Sequence, residues 1–176
     1  MTQPWACRHG GAAGTYDETA RRASHEELAA AHSLVADGHH VRTLAETRQA
    51  RRADLEACGV AVEVKSFLSL AERGGRPPRA ASVANKLLDA AGQGSVAVLW
   101  ARGSGLGEAE ARAGYRLFQA KARARGLAPD LPARLVGDGF DIWPEVVPTL
   151  RPAAAAGRAA RAPGAGRPPG RPRLAV

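Results

Sequence analysis

An alternating segment with a tight turn at its centre constrains the fold of this chain most. Residues 50–66 read ARRADLEACGVAVEVKS, and apolar and polar side chains alternate on both sides of the turn, which predicts a β-hairpin. With Cys58 and Gly59 as the turn residues, the register places Asp54 opposite Glu63 on the polar face. The other face of the hairpin is entirely apolar, so we expect it to pack against a core.

The polar face of this hairpin brings like charges together. Side chains directly opposite each other across an antiparallel pair have Cβ atoms about 5 Å apart, so the carboxylates of Asp54 and Glu63 would repel each other. A divalent cation relieves such repulsion, and Mg²⁺ is commonly held by one or two carboxylates. Lys65 points to the same side, where its ammonium group could orient or deprotonate a water molecule and neutralise charge on a phosphate. The alternative is that these residues form the ordinary solvated face of a half-buried sheet.

A helix precedes the hairpin and carries a further acid. Residues 18–37 show apolar side chains with a period of 3.6 residues and stop at Gly38. Glu27 shares a helix face with Ala31 and Leu34, so it lies at the edge of the buried stripe. Because a turn or more of helix is predicted before Glu27, we interpret it as an acid that faces the sheet cleft rather than as a first-turn residue favoured by the helix dipole.

The remaining patterns are strands and helices in a mixed order. Apolar and β-branched runs predict strands, and a period of 3.6 residues predicts helices. The other predicted elements are a strand at 39–44, hairpin strands at 50–57 and 60–66, a helix at 80–92, a strand at 95–100, a helix at 108–125 and a strand at 133–137. This order predicts an α/β fold, an α+β sandwich in which helices flank a mixed β-sheet.

Composition sets the expected domain limits. The chain has 176 residues, of which 45% are hydrophobic, enough for one core. We expect a flexible Gly-rich segment at 1–16, a folded domain at 17–144 and a disordered tail rich in Arg, Pro, Ala and Gly at 145–176, since such a tail buries too little apolar surface to fold. Six of the 25 basic residues lie in the last 26 positions, which hold no acid, so most of the net charge of +8 is in the tail. Nucleic-acid binding must therefore be argued from the site rather than from charge alone.

The order and spacing of the charged residues resemble those of a known nuclease superfamily. Glu27 on the first helix, then Asp54, then the triplet EVK at 63–65 on the hairpin are similar to the PD-(D/E)xK nucleases, with Ala53 where the superfamily name has Pro. The run SVANKLLDAAGQGSVAVLW is similar to the C-terminal tRNA nuclease domain of contact-dependent growth inhibition toxins of the CdiA type. Lys86 and Gln93 match a Lys and a Gln of that domain, and their spacing of seven would place them on one helical face.

This resemblance implies a restriction-endonuclease-like fold and a function. Asp54 and Glu63 would hold Mg²⁺ or Mn²⁺, Glu27 would support the metal or its water, and Lys65 would position or activate the nucleophile. Lys86 and Gln93 would line the cleft for nucleic acid. The expected substrate is tRNA, with DNA next, and the expected partner is a cognate immunity protein. The alternatives are a PD-(D/E)xK DNA endonuclease, or a catalytically inactive protein of the same fold that binds nucleic acid or acts as an adaptor.

Other patterns favour weaker interpretations. Five histidines could serve a metal-free ribonuclease with an imidazole acid and base, but none follows a metal-ligand spacing. A glycine loop at 101–110 could cradle a phosphate, but it lacks the Walker lysine and carries two glutamates. Trp100 and Trp143 are expected in the core or at its rim, because basic residues do not interleave with aromatic ones in the sequence.

We expect the protein to act in a cytoplasm, either its own or that of a target cell that receives it. The start, MTQPWACRHGG, lacks the basic and apolar regions of a signal peptide, and no run reaches the length of a membrane span, so no membrane partner is expected. Only Cys7 and Cys58 occur, without a metal-type spacing, so neither a disulfide framework nor a zinc site is predicted.

Overall fold

A computed structural model of the chain describes residues 13–45 and 53–144. Within these residues the backbone forms seven strands and three helices. In chain order the elements are β1 (Thr15–Asp17), α1 (His25–Ala36), β2 (His40–Thr43), β3 (Leu55–Ala57), β4 (Val60–Ser66), α2 (Ala80–Ala90), β5 (Val96–Trp100), α3 (Glu108–Ala124), β6 (Ala133–Gly137) and β7 (Phe140–Ile142). The predicted class, an α/β fold in which helices flank a mixed sheet, is confirmed.

The strands of the described residues form one sheet in which they lie side by side in chain order. Parallel pairing joins β1 to β2, β4 to β5 and β5 to β6. Antiparallel pairing joins β2 to β3, β3 to β4 and β6 to β7. Each parallel step is bridged by one of the helices, because a parallel pair needs a crossover connection whereas an antiparallel pair needs only a short turn.

The helices cover both faces of the sheet. On one face, α1 buries Leu34 in a cluster that includes Val98 of β5. On the other face, α2 and α3 bury Leu87 and Phe118 in a cluster that includes Leu99. Val98 and Leu99 are neighbours in one strand, and their side chains point to opposite faces, as strand geometry requires. We call these two sides the α1 face and the α2–α3 face.

The first helix begins later than its sequence pattern predicts, at His25 rather than at residue 18. Ser24 caps it: the Ser24 hydroxyl accepts from the Glu27 N–H at 3.2 Å, and the Glu27 carboxylate accepts from the Ser24 N–H at 2.8 Å. These two bonds form a capping box, which satisfies backbone donors that have no partner inside the helix. Glu27 is therefore a first-turn residue, and the interpretation that a turn of helix precedes it is wrong.

Other differences concern short elements and chain limits. β1 begins inside the segment predicted to be flexible, and β7 is a short strand that the sequence patterns did not single out. Of the predicted strand 50–57, only Leu55–Ala57 is extended, and its residues 50–52 lie outside the described residues, as do 1–12 and the tail 145–176. Cys58 is disulfide-bonded, contrary to expectation. No helix within the described ranges is long and apolar enough to cross a membrane.

The close contact between α2 and α3 depends on Gly114. A Cβ atom on Gly114 of α3 would lie 2.4 Å from the Val83 Cβ and 2.9 Å from the Ala80 carbonyl oxygen of α2. We expect Gly114→Ala to lower the free energy of unfolding by about 2 kcal/mol, because the two helices would have to separate. Urea unfolding measures this change.

Gly92→Ala is the matched control, since a Cβ on Gly92 meets no atom within 4 Å. Its free energy of unfolding should stay within about 0.5 kcal/mol of the parent value. Equal unfolding midpoints for the parent and both variants would contradict the described packing of α2 on α3.

Candidate active site

The β3–β4 hairpin has the predicted register, and its ladder ends where the acids begin. Leu55 pairs with Val62 and Ala57 with Val60, as the turn at residues 58–59 requires. β3 extends no further than Leu55, so Asp54 stands just outside the ladder. One oxygen of its carboxylate, Oδ2, accepts a hydrogen bond from the Val64 N–H at 2.9 Å. On its β3 side, this part of β4 is therefore bound by a side chain rather than by a strand.

Glu63 lies next to this break and is buried. It is 2% exposed, so the alternative of an ordinary solvated face does not describe it. Lys65 donates from Nζ to Oε1 of Glu63 at 2.5 Å. The second oxygen, Oε2, is buried without a hydrogen-bond partner among the described residues. A buried polar atom without a partner carries a cost of about 1–3 kcal/mol and calls for an explanation.

Close backbone packing helps to bury Glu63. The turn after α2 passes directly beside Glu63: a Cβ atom added to Gly94 would lie 2.9 Å from the Glu63 N atom and 3.1 Å from the Glu63 Cβ. Glu63 and Lys65 pair with Ala97 and Leu99 of β5, which face α2 and α3. Both charged side chains therefore belong to the α2–α3 face at the open side of β4.

Glu27 approaches the site from α1 together with a basic residue that sequence patterns did not single out. Arg21 binds Glu27 through two nitrogens: Nη1 donates to Oε2 at 2.7 Å and Nη2 donates to Oε1 at 3.0 Å. The same Nη2 lies 3.5 Å from Oδ1 of Asp54 and donates to the Asp54 carbonyl oxygen at 3.3 Å. Arg21 also donates from Nε to the Leu44 carbonyl oxygen at 3.0 Å. This guanidinium group thus ties α1 to the ends of β2 and β3 and joins two of the predicted acids.

The pKa values of Glu27, Asp54 and Glu63 shift in different directions in this environment. The pKa of Asp54 is raised to about 6, mainly by burial and further by the charges of Glu63 and Glu27, against the opposing effect of the hydrogen bond from the Val64 N–H. Burial also raises the pKa of Glu63, although Lys65 opposes that shift. For Glu27 the effect of burial is outweighed by hydrogen bonds from Arg21 and the Ser24 N–H, which lower its pKa. Asp54 therefore interacts with both other acids, which places Glu27, Asp54 and Glu63 in one cluster.

The donor atoms suit a divalent cation held by two carboxylates rather than by three. Within residues 13–45 and 53–144 there is no group of three His, Cys, Asp or Glu side chains arranged to hold a metal ion. Both oxygens of Glu27 are bound to Arg21. Asp54 and Glu63 remain, and Mg²⁺ is commonly bound by one or two carboxylates with water in its other positions. A cation between them would satisfy Oε2 of Glu63 and reduce the repulsion that Asp54 experiences.

The two residues predicted to contact nucleic acid lie on different elements. Lys86 is on α2, with its Nζ 6.0 Å from the centroid of the Phe67 ring. Gln93 comes after α2, which ends at Ala90, and its side chain folds back to donate to the Asp89 carbonyl oxygen at 2.8 Å. The prediction that Lys86 and Gln93 share one helical face is therefore wrong, because the helix stops before Gln93.

The glycine loop after β5 is bound by a carboxylate. The Gly103 N–H donates to both oxygens of Asp138, each at 3.0 Å. An anion of the protein itself therefore occupies the backbone donor that a phosphate cradle would offer. This contact favours the interpretation of the loop as a connection between β5 and α3.

Comparison with known proteins gives no relative that could assign a function: no family model, curated protein or solved structure matches the chain. The geometry of the acid cluster and the resemblance of its residues to a nuclease motif are therefore the grounds for a proposal.

The raised pKa of Asp54 predicts how stability depends on pH. The folded state holds the Asp54 proton more tightly than the unfolded state, so this contribution is fully present below about pH 4 and is lost as the pH rises to about 6. We expect the free energy of unfolding to fall with rising pH over this window, and to fall less in Asp54→Asn. Urea unfolding at a series of pH values measures both slopes.

The control is Asp89→Asn, which changes an exposed Asp on α2 and should follow the parent's slope. Parallel slopes for the parent and Asp54→Asn would contradict the described burial of Asp54 beside the other acids.

Proposed function

We propose that this protein is a metal-dependent nuclease that hydrolyses phosphodiester bonds. One observation carries the proposal: a buried carboxylate, Glu63, has one oxygen bound by Lys65 and the other without a partner, beside a second carboxylate, Asp54. Two neighbouring acids and an ammonium group are the functional groups that metal-assisted hydrolysis of a phosphate ester requires. The same three residues carry the resemblance to PD-(D/E)xK nucleases.

Each residue of the cluster has a role in this proposal. Asp54 and Glu63 would hold Mg²⁺ or Mn²⁺, which supplies Lewis-acid stabilisation of a phosphoryl oxygen and a more acidic bound water. Lys65 holds Glu63 in place through Oε1 and brings a positive charge to the position where phosphate charge would develop. Glu27 acts through Arg21, whose guanidinium group fixes the backbone at Asp54, and supports water at the site.

The substrate and the partner are proposed from the resemblance. Similarity to the CdiA-type toxin domains makes tRNA the proposed substrate, with DNA as the second choice, and an immunity protein as the partner that blocks the site. A cytoplasm is the compartment where such a toxin domain would meet tRNA.

One observation favours a second candidate. Because Arg21 takes both oxygens of Glu27, the cluster has one acid fewer available than the sequence motif suggests. A protein of this fold that binds nucleic acid without cutting it would tolerate such an arrangement.

Cleavage assays test the proposal and separate the candidates. Total tRNA and plasmid DNA are each incubated with the protein in Mg²⁺ and in EDTA, and tRNA should be cut only with Mg²⁺. Glu63→Gln and Lys65→Met should each slow cleavage by about 10² to 10⁴-fold, since one removes a metal-binding charge and the other the ammonium group.

Glu56→Gln is the matched control, because Glu56 lies on the same hairpin and binds Arg42 at 2.9 Å, away from the cluster. It should cut at the parent's rate. Cleavage that persists in EDTA would contradict the metal-dependent mechanism, and binding of tRNA without cleavage under all conditions would favour the second candidate.

A further inference from the structure

The face of β4 that carries the acid cluster continues into an aromatic residue. Phe67 follows the last residue of β4, and its N–H donates to the Trp100 carbonyl oxygen at 3.3 Å, so the strand pairing extends to it. Side chains alternate along a strand, which places Phe67 on the same face as Glu63 and Lys65. The Cα of Phe67 lies about 7 Å beyond that of Lys65 at the usual rise per residue. The ring is half-buried: it packs against the α2–α3 cluster and is in part open to solvent.

Two basic side chains from different elements converge on this ring. The Cζ atom of Arg73, in the loop before α2, is 5.8 Å from the ring centroid, and Nζ of Lys86, on α2, is 6.0 Å from it. Both distances lie in the range of cation–π contacts. Neither residue forms an ion pair with an acid within residues 13–45 and 53–144, and both are partly exposed. Their positive charges are thus available to an anionic ligand.

A second pair of the same kind lies at the neighbouring strand end. Arg102 is 5.1 Å from the ring of Trp100, whose side chain packs on the α1 face. An aromatic side chain with a basic neighbour thus lies at the carboxyl end of both β4 and β5, on opposite faces of the sheet. Trp100 and Trp143 both pack at the rim of the cluster on the α1 face, as the sequence predicts.

We propose that Phe67, Arg73 and Lys86, which we call the Phe67 platform, bind an unpaired nucleotide next to the acid cluster. The proposal rests on the proposed function, from which it takes nucleic acid as the ligand. An aromatic ring stacks on any base whose face is free, and flanking cations bind the phosphates on either side. Bases in a duplex already stack on each other, so the platform selects single-stranded or looped nucleic acid. This preference would direct the acid cluster to loops of an RNA rather than to a double helix.

Binding measurements in EDTA test the platform without cleavage. A short fluorescein-labelled single-stranded RNA is titrated with the full chain, and the same RNA is titrated as a blunt duplex. Phe67→Leu, which keeps an apolar side chain but removes the ring, and Arg73→Gln should each weaken single-strand binding by about tenfold. Phe67→Tyr should restore it, and Phe67→Leu should leave duplex binding unchanged.

Arg116→Gln is the control for charge, since Arg116 is exposed on α3 and its loss changes the net charge by the same amount as Arg73→Gln. It should bind like the parent. Unchanged single-strand binding in Phe67→Leu and Arg73→Gln, or equal losses for single strand and duplex in Phe67→Leu, would overturn the platform. Arg73→Gln keeps the test valid if Phe67→Leu unfolds, because Arg73 lies on a loop.

The binding assay tests the Phe67 platform independently of the cleavage assay, which tests the nuclease proposal. If the parent cuts neither tRNA nor DNA while Phe67→Leu still loses single-strand binding, the platform stands and the nuclease proposal fails. If the parent cuts tRNA while Phe67→Leu binds single-stranded RNA as the parent does, the nuclease proposal stands and the platform fails.

Discussion

The hydrogen bond from the Val64 N–H to the Asp54 carboxylate is the interaction on which the site depends. It replaces a strand-to-strand contact with a side-chain contact at the point where β3 ends. Because β3 ends there, the edge of β4 beyond Val62 meets the Asp54 side chain instead of a β3 residue, while its other edge stays paired with β5. Glu63 is consequently buried beside Asp54, and Lys65 and Phe67 follow on the same face at the interval that strand geometry sets.

The burial of Glu63 beside Asp54 does not by itself stabilise the folded state. A buried carboxylate needs a cation or hydrogen bonds to offset the loss of hydration, and Lys65 satisfies only one oxygen of Glu63. Arg21 binds Glu27 and lies 3.5 Å from Oδ1 of Asp54, and Lys65 binds Glu63, yet burial and the charges of the other two acids still raise the pKa of Asp54. Groups whose pKa values are displaced in this way concentrate at functional sites, where charge is arranged for chemistry. A divalent cation at this position would explain the burial, the displaced pKa values and the unpaired oxygen together.

Local patterns in the sequence predict the part of the site that depends on neighbouring residues. The turn fixes the register of the hairpin, so the proximity of Asp54 and Glu63 could be read from alternation. The start of α1 is also predictable from the sequence, since the capping-box residues Ser24 and Glu27 stand three apart. The helical pattern from residue 18 predicts a start that is too early. The role of Arg21 depends on contacts with a strand far along the chain, which no local pattern encodes. The grouping of basic and aromatic side chains around Phe67 likewise arises only when the loop and α2 fold back on β4.

The position of a bound cation tests the central claim most directly. Crystals of the protein soaked with Mn²⁺ give an anomalous difference signal at the metal, whatever the substrate. We expect one peak at ligand distance from both the Asp54 carboxylate and Oε2 of Glu63. The absence of a peak between these carboxylates, in crystals where Oε2 of Glu63 instead binds a protein donor, would contradict the central claim.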